Sequence, residues 1–420
     1  MKKKANGRTK QIHGSFDSTA WEFTHHIVPP MTASTAFRLD SLERGAQGFL
    51  SFGQGNKKQK PIWIYDRLEE PTTLLLEEQL ADMEGGEIAV SFGSGMGAIS
   101  TAIMSFMGAG DRIVAHRTLY GCTYSLITNW LPKYGMNSKI LDINTKELEN
   151  EIKDPKTKVL YFESVSNPSL EIIDIERVVK LVKKENKKRK ANRQITIIVD
   201  NTFATPWALR PLEWGVDVVI QSLTKNIAGF GTETGGAIIT RKKHESLLKL
   251  ARKDFGAMLA PNSAWHILVF GVSTQILRFE QQQQSAQAIA EFLSKHPKVE
   301  KVLYPGLKNY EQKKLAQKYL KNPNGEFSPG TMIAFILKGN MKKCQKFVDD
   351  LATNAYSITL AVSLGMNKTL IEVPGFMTHS AIPVDKRGES NLDPRLIRLS
   401  IGLEDKKDLL SDLKKSLAKV

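Results

Sequence analysis

The sequence predicts an α/β fold in which a mostly parallel sheet carries helices on both faces and precedes a smaller C-terminal α+β domain. Short apolar runs alternate with helical stretches from residue 69 onward, which is the pattern of a parallel sheet. The runs are apolar throughout, as is typical of strands that are buried on both faces. The first 60 residues have weak periodicity and scattered Gly, Ser and Thr, and therefore indicate an extended N-terminal arm.

The length and composition suit a chain of two or three domains that folds in a reducing compartment. We predict an arm at 1–68, a large domain at 69–275 and a C-terminal domain at 276–420. The two cysteines, Cys122 and Cys344, exclude a disulfide scaffold. No apolar run has the length of a membrane span, and the basic start lacks the apolar region of a secretory signal. We therefore expect a cytoplasmic protein with no membrane partner.

The chain is basic, with a formal net charge of +15. Much of the excess lies in "KLVKKENKKRKANRQ" at 180–194, which we interpret as a solvated helix end and loop. The alternative, a nucleic-acid-binding protein with a degenerate enzyme fold, rests on charge alone, because no aromatic residues are interleaved and no binding motif is present. We expect no nucleic-acid partner. We also expect no metal, because no Cys/His cluster has zinc-like spacing.

Each predicted element has its own local signal. In "EEPTTLLLEEQLADMEGG", leucines recur at helical spacing, Thr72 or Thr73 can cap the start, and Gly85 can end the helix. The strands that follow are "EIAVSFG", "DRIVAH", "TKVLYFES", "ITIIVDNT", "VDVVIQS" and "GGAIIT", with helices such as "MGAISTAIMSFM" and "IERVVKLVKKEN" between them. A long helix near "SAWHILVFGVSTQILRFEQQQQSAQAIAEFLSKH" leads to the C-terminal elements "VLYPG", "TMIAFILKG", "KKCQKFVDDLAT" and "RLIRLSIGLED".

Ligands of open parallel sheets bind beyond the carboxyl ends of the strands. After "AVSFG", the turn "SGMG" begins a helix, so the amides of Gly95 and Met96 can bind an anion, although a plain turn is equally consistent. Asp200 ends one apolar strand, and Lys225 follows the next. Taken singly, such an aspartate is more often a cap or loop anchor and such a lysine a surface cation. A nicotinamide dehydrogenase is disfavoured, because no G-x-G-x-x-G opens a helix after the first strand.

Taken together, these residues suit pyridoxal phosphate (PLP). Lys225 would anchor the cofactor covalently, because a lysine that is partly buried has a lowered pKa and becomes a nucleophile or base. Asp200 would keep the pyridine nitrogen protonated, so that the ring withdraws electrons. The remaining groups are predicted to bind the phosphate or to stack on the ring; they are Gly95, Met96, Ser222 and Thr224 for the phosphate and Tyr120 for the ring.

The stretch "DNTFATPWALRPLEWGVDVVIQSLTKNIAG" resembles the Cys/Met-metabolism family of PLP enzymes, and the resemblance extends from "VPPMTASTAF" to "RLSIGLED". It implies the aspartate-aminotransferase-like fold, PLP fold type I. It also implies that Tyr65 and Arg67, in "YDR", reach the cofactor phosphate of a neighbouring subunit, which would explain an arm without its own core. The family forms homo-oligomers, usually tetramers of two catalytic dimers, and the resemblance implies the same here.

The resemblance further assigns substrate-binding residues. Asn167, Ser363 and Arg398 resemble the groups that hold the substrate carboxylate, and a guanidinium suits this role because it can bind both carboxylate oxygens. Cys122 and the pair Lys253 and Asp254 resemble residues of the methionine gamma-lyases within the family; a buried cysteine is otherwise a small apolar residue. The neighbour Val362 is apolar where cystathionine gamma-lyases typically carry a glutamate.

The implied reaction is gamma-elimination on a sulfur amino acid, with L-methionine expected to give methanethiol, 2-oxobutanoate and ammonia. Lys225 would remove the Cα proton, and Tyr120, with its pKa lowered by Arg67 and Lys253, would protonate the departing thiolate. Cys122 would tune this proton path. An O-acylhomoserine sulfhydrylase or cystathionine gamma-synthase shares every cofactor residue and is the alternative, followed by a cystathionine gamma- or beta-lyase.

Some positions depart from the family pattern. They are Asp66, Glu70-Pro71, Asn226 after the lysine and Phe230 in the loop beyond it. The stretch "PVDKRGESNLDPRL" is also longer than expected. None of these changes removes a cofactor contact, but together they leave the exact substrate open.

Overall fold

A computed structural model of the protein describes residues 7–13, 27–52, 61–377 and 393–420. Most of the long stretch near residue 385 therefore lies outside the described residues. Within these segments, no helix combines the length and apolar character needed to cross a membrane. The predicted cytoplasmic location stays a prediction.

A seven-stranded sheet forms the centre of the large domain. Its strands are β1 Ile88–Phe92, β2 Arg112–His116, β3 Asn137–Leu141, β4 Thr157–Glu163, β5 Thr196–Asp200, β6 Val218–Gln221 and β7 Gly236–Thr240. Their spatial order is β1-β7-β6-β5-β4-β2-β3, and all neighbours are parallel except β7, which is antiparallel to both β1 and β6. The prediction of a mostly parallel sheet is confirmed. β3 was not predicted, because "NSKIL" is too polar to stand out as a strand.

Helices cover both faces of this sheet. The described α-helices before the C-terminal part are α1 Gly7–His13, α2 Leu42–Ser51, α3 Pro71–Glu84, α4 Gly95–Phe106, α5 Gly121–Ser125, α6 Glu147–Glu151, α7 Ile175–Asn186, α8 Thr205–Ala208, α9 Glu245–Phe255 and α10 Pro261–His266. Successive side chains of a strand point to opposite faces. Accordingly, Val218 and Ile220 of β6 join one hydrophobic cluster and Val219 joins the other.

A second, five-stranded sheet lies in the C-terminal part. Its strands are β8 Val299–Leu303, β9 Met332–Leu337, β10 Ile358–Leu360, β11 Thr369–Glu372 and β12 Ile397–Ser400, in the order β10-β11-β12-β9-β8. Its helices are α11 Ser273–Lys295, which precedes it, and α12 Lys313–Tyr319, α13 Met341–Asn354 and α14 Lys406–Ala418. The predicted division at 275/276 falls inside α11, and the three-part division stays a prediction.

The start of α3 differs from the prediction. Glu70, not Thr72 or Thr73, is the N-cap, and its carboxylate accepts hydrogen bonds from both threonine amides, that of Thr72 at 2.8 Å. Pro71 occupies the first helical position, where its missing N–H costs nothing, so the residue before it must be the cap. The end was predicted correctly, because Gly85 has the left-handed conformation, with φ +72°.

The basic segment at 180–194 is partly structural. Most of its lysines are exposed, as predicted. Arg189, however, donates to the carbonyls of Thr157 and Asp154, each at 2.7 Å, and Arg193 pairs with Asp111 at 2.6 Å. Arg189 therefore ties the loop to β4 and to the residues just before it, and Arg193 ties the loop to the residue before β2.

Candidate active site

Polar residues collect at the carboxyl ends of the central strands. Glu163 ends β4, Asp200 ends β5 directly opposite it in the sheet register, and the turn that carries Lys225 follows β6. Sequence reasoning selected Asp200 and Lys225 but missed Glu163. The signal was present, because an acidic residue ends the apolar strand "TKVLYFE" just as Asp200 ends "TIIVD".

Lys225 is partly buried in this turn. Its Nζ donates a hydrogen bond to Ser363 Oγ at 2.9 Å. Burial, followed by the positive charge of Arg398, lowers the pKa of Lys225 to about 8, although Glu372 and Asp200 act in the opposite direction. Near neutral pH a far larger share of this amine is neutral than for an ordinary lysine, and a nucleophile or a base must be neutral.

The pH dependence of Lys225 reactivity tests this directly. In the cofactor-free protein, we expect the rate of Lys225 acylation by acetic anhydride to rise with pH and level off above a midpoint near pH 8. An ordinary lysine, with a pKa of about 10.4, would still be gaining reactivity at pH 10. Mass spectrometry of the Lys225 peptide after brief labelling measures the profile. A midpoint near 10 would contradict the assigned environment.

Asp200 is buried, and its Oδ1 accepts a hydrogen bond from the Thr202 amide at 2.9 Å. Burial raises its pKa, and hydrogen bonds from Thr202 and Tyr161 and the charge of Lys225 oppose that rise. A buried carboxylate of this kind favours a cationic partner. The protonated nitrogen of a pyridine ring would supply one.

Tyr120 does not have the pKa that was predicted. Burial raises its pKa, the adjacent Cys122 raises it further, and Arg398 is the cation that opposes the rise. The prediction of a lowered pKa is wrong because burial outweighs the charge of Arg398. In this chain Arg67 donates to the Lys253 carbonyl at 2.7 Å. The phenol therefore stays protonated at neutral pH, and in that form it can donate a proton.

Arg398 lies at the centre of a second group of predicted residues. Its Nη1 donates to Asn167 Oδ1 and its Nη2 to the Ser363 carbonyl, both at 2.8 Å. Arg398 on β12 is paired in register with Glu372 on β11, and their side chains form an ion pair at 3.0 Å. Ser363 has a φ of +88°, which is strained for a serine and is common where a site is held in one geometry. The structure thus brings Asn167, Ser363, Arg398 and Lys225 together.

The predicted anion-binding turn lies beside the lysine turn. The Ser94 side chain caps α4 by accepting a hydrogen bond from the Gly97 amide at 3.0 Å. The amides of Gly95 and Met96 lie nearer the start of the helix than this bonded amide, where N–H groups have no partner within the helix. A Cβ built on Gly95 would lie 2.9 Å from both Cβ and Oγ of Ser222, which shows how closely the two turns approach.

The other predicted phosphate ligand, Thr224, has a hydroxyl that is already engaged. It donates to the Gly235 carbonyl at 3.2 Å and accepts from the Gly235 amide at 3.0 Å. Its hydroxyl proton would have to turn to reach a phosphate. The role of Thr224 stays a prediction.

Gly95 offers a test of the anion site. We expect Gly95→Ala to weaken PLP binding to the cofactor-free protein by at least about 10-fold, because the new methyl group must push the amides away from Ser222. Gly108→Ala is the control, since a Cβ there meets nothing within 4 Å. Absorbance titration gives both dissociation constants. Equal affinities in the two variants would contradict a phosphate site at this turn.

Tyr65, Arg67, Lys253 and Asp254 form a separate group. The Arg67 guanidinium lies 5.5 Å from the centre of the Tyr65 ring, and Lys253 Nζ donates to Asp254 at 2.5 Å. Among the described residues, no hydrogen bond or ion pair joins this group to Lys225. The prediction that Tyr65 and Arg67 serve a neighbouring subunit stays a prediction, as do the substrate-pocket roles of Lys253 and Asp254.

Phe230, an unexplained departure from the family pattern, now has a structural reason. Its ring covers the Arg278 guanidinium at 5.1 Å. Arg278 donates to the carbonyls of Asn226 and Ile227 at 2.9 and 3.0 Å, and so holds the chain directly after Lys225. Gly229 lets the guanidinium approach, because a Cβ there would lie 1.7 Å from Nη1.

His116, Asp142 and Glu171 place possible metal-ligand atoms within 4.8 Å of one another. Arg117 already pairs with Asp142 at 3.0 Å and with Glu171 at 3.6 Å. The His116 Nδ1 accepts the Ile143 amide at 3.3 Å, so its neutral ring carries the proton that faces Glu171. The Arg117 guanidinium thus already pairs with both carboxylates, and the expectation of no metal stays a prediction.

The donor set of the main site fits PLP. A lysine with a lowered pKa suits the aldehyde, and a buried carboxylate suits the pyridine nitrogen. A helix N-terminus packed against Ser222 suits the phosphate. The residues that would hold the cofactor are Lys225, Asp200, Tyr120, Ser222 and the Gly95-Met96 amides.

Comparison with known proteins agrees with this fit. Residues 8–418 match the family described as Cys/Met metabolism PLP-dependent enzyme. The chain is 37% identical over 412 residues to the L-methionine gamma-lyase of Pseudomonas deceptionensis, a match that covers 97% of this chain and 96% of that enzyme.

Two solved structures share the fold over 99% of this chain. One is the cystathionine gamma-lyase from Lactobacillus plantarum, with 32% identity, 99% of that chain covered and a TM-score of 0.85. The other is a putative O-acetylhomoserine (thiol)-lyase from Campylobacter jejuni, with 30% identity, 100% covered and a TM-score of 0.87, which carries a pyridoxyl-lysine monophosphate. The predicted PLP fold type I and the PLP cofactor are confirmed. The chain is therefore a PLP-dependent enzyme and belongs to the Cys/Met metabolism family of PLP-dependent enzymes.

Proposed function

We propose that the protein is a carbon–sulfur lyase that converts L-methionine and water to methanethiol, 2-oxobutanoate and ammonia by gamma-elimination. The observation that carries the proposal is the hydrogen bond of 2.9 Å between Lys225 and Ser363, whose carbonyl binds Arg398. An amino acid whose carboxylate is held by Arg398 would therefore present its Cα close to the Lys225 amine. The L-methionine gamma-lyases among the relatives support the choice of substrate.

An apolar residue next to Ser363 in the chain also supports a thioether substrate. Val362 precedes Ser363 and is 51% exposed, so it offers an apolar surface without charge. A methyl thioether loses little by lying against such a surface, whereas a second amino-acid head group would lose hydration there.

The cofactor supplies an electron-withdrawing ring that stabilises negative charge at Cα and Cβ. Arg398 and Asn167 hold the substrate carboxylate, which fixes the direction of the Cα–H bond. Lys225, whose lowered pKa of about 8 makes the neutral amine accessible near neutral pH, accepts the Cα proton and then moves protons at Cβ. Tyr120 keeps its proton because burial raises its pKa, and it donates that proton to the departing sulfur.

A sulfur-transferring relative is the alternative. An O-acylhomoserine sulfhydrylase or cystathionine gamma-synthase would use the same cofactor residues and replace the leaving group with a thiol. The similar structure of the putative O-acetylhomoserine (thiol)-lyase favours this candidate, and that of the cystathionine gamma-lyase favours a third.

A substrate panel separates these candidates. Purified enzyme is given L-methionine, L-cystathionine, or O-acetylhomoserine with sulfide, and 2-oxobutanoate, thiols and homocysteine are quantified. We expect kcat/KM for methionine to exceed that for cystathionine by at least about 10-fold, which corresponds to about 1.4 kcal/mol of discrimination in an apolar pocket. No turnover of methionine together with rapid replacement on the acyl ester would overturn the lyase proposal.

We also propose a homo-oligomer, a tetramer of two catalytic dimers. Two features of the arm support it. Tyr65 and Arg67 lack contacts with Lys225 among the described residues, and α2 exposes Leu42, Phe49 and Leu50. Exposed apolar residues on one helix mark an interaction surface. Light scattering after gel filtration should give four times the 46.9 kDa chain mass; a monomer that is fully active would contradict this.

A further inference from the structure

We propose that Glu163 is a positioning residue that fixes Tyr120 and Asn167 relative to each other by accepting a main-chain hydrogen bond from each. The Tyr120 amide donates to Glu163 Oε1 at 2.5 Å, and the Asn167 amide donates to Oε2 at 2.7 Å. Each carboxylate oxygen therefore serves one of the two residues. The inference rests on the proposed function, which gives Tyr120 the leaving sulfur and Asn167 the substrate carboxylate.

The two amides belong to different loops. Tyr120 lies in the loop after β2, directly before α5, and its side chain does not cap that helix. Asn167 lies in the loop after β4, and β2 and β4 are neighbours in the sheet. A single buried carboxylate, 4% exposed, thus bridges two loops that the sheet brings side by side.

The charges around Glu163 make this carboxyl group costly to keep for stability alone. Asp200 lies beside it in register, and burial together with that negative charge raises the pKa of Glu163. The two amide donors and the positive charge of Arg398 favour its charged form. Burying this carboxyl group costs free energy, and a satisfied buried polar group rigidifies the residues that it binds. Here those residues are Tyr120 and Asn167, which both belong to the proposed site.

Substitution separates the two hydrogen bonds. Glu163→Gln keeps the shape but has one acceptor oxygen, so its NH2 group must face one of the amides and a buried donor is left unpaired. Glu163→Ala removes both bonds. Glu171→Gln is the matched control, because Glu171 also follows β4 and binds polar side chains, His116 and Asn144, but contacts neither Tyr120 nor Asn167.

The experiment measures four quantities for each variant: PLP affinity of the cofactor-free protein, affinity of the holoenzyme for norleucine, the circular dichroism of the bound cofactor, and the melting temperature. Norleucine resembles methionine but has no sulfur to eliminate. For Glu163→Gln, which disturbs one of the two amides, we expect at least one of the two dissociation constants, for PLP or for norleucine, to rise about 10-fold. The circular dichroism of the bound cofactor should also change. Glu163→Ala should raise both constants, and Glu171→Gln should leave both within about twofold.

Three outcomes would overturn the proposal. The first is unchanged binding constants and dichroism in Glu163→Gln. The second is a lowered melting temperature with unchanged binding, which is the result of a merely structural role. The third is an equal loss in Glu171→Gln. If Glu163→Gln does not fold, Glu163→Asp replaces it, since its shorter stem keeps two acceptors but cannot reach both amides.

These readouts distinguish this proposal from the proposed function. If methionine is not turned over but the Glu163 variants still weaken PLP and norleucine binding, the substrate assignment fails and the positioning role stands. If the native protein binds no PLP, both fail.

Discussion

Lys225→Ala protein is expected to lose at least about 10³-fold in the release of 2-oxobutanoate while keeping its fold, because in the proposed function one side chain serves as both cofactor anchor and base. The amine is the group that faces Ser363 Oγ at 2.9 Å and has its pKa lowered to about 8 by burial. Truncation removes a partly buried charged group without creating a large apolar cavity, so the melting temperature should change by only a few degrees.

Product assays and thermal melts of both proteins measure this effect. Lys180→Ala is the control, because its ammonium is exposed and, among the residues that the structure describes, pairs only with Glu176 on the same helix. It should behave as the native enzyme. Release of 2-oxobutanoate by Lys225→Ala at the native rate would show that another group is the base.

Arg398→Ala is expected to have the next largest effect, on substrate binding and on folding together. Arg398 is 3% exposed and pairs with Glu372, which is 1% exposed. Removing the guanidinium leaves that carboxylate buried without its cation, at a cost of about 3–5 kcal/mol. In the proposed function the substrate carboxylate loses the same partner, and KM should rise at least about 100-fold, as for other buried charge pairs.

A double variant separates the two effects. Arg398→Met with Glu372→Leu removes both charges and should recover most of the lost stability, because replacing a buried pair with apolar residues is often neutral. It should not recover KM. Denaturant unfolding and steady-state kinetics measure the two quantities. Native KM in either variant would contradict the carboxylate-binding role of Arg398.

The parts of the site that the sequence revealed are those with local signals. Asp200 ends the apolar strand β5, and Lys225 follows the next strand, β6. Parallel strands bring such residues together at one edge of a sheet. Glu163 gave the same signal and was overlooked. The motif of the family then extended the set to Asn167 and Arg398, which no local pattern identifies.

Other features depend on long-range contacts and could not be predicted. Glu372 pairs with Arg398 only through the register of β11 with β12, and β11 is four residues long. The direction of the Tyr120 pKa shift depends on burial outweighing nearby cations, which sequence spacing does not show. Phe230 covers Arg278, which lies on the distant helix α11. The sequence therefore did not show that Arg278 holds the chain after Lys225.

The covalent site of the cofactor tests the central claim most directly. The native holoenzyme is treated with borohydride, which reduces the linkage between an amine and an aldehyde and makes it permanent, and is then digested and analysed by mass spectrometry. We predict a pyridoxyl phosphate adduct on Lys225 alone, and none on the Lys225→Ala protein. An adduct on a different lysine, or a coloured native protein without any adduct on the Lys225 peptide, would contradict the account.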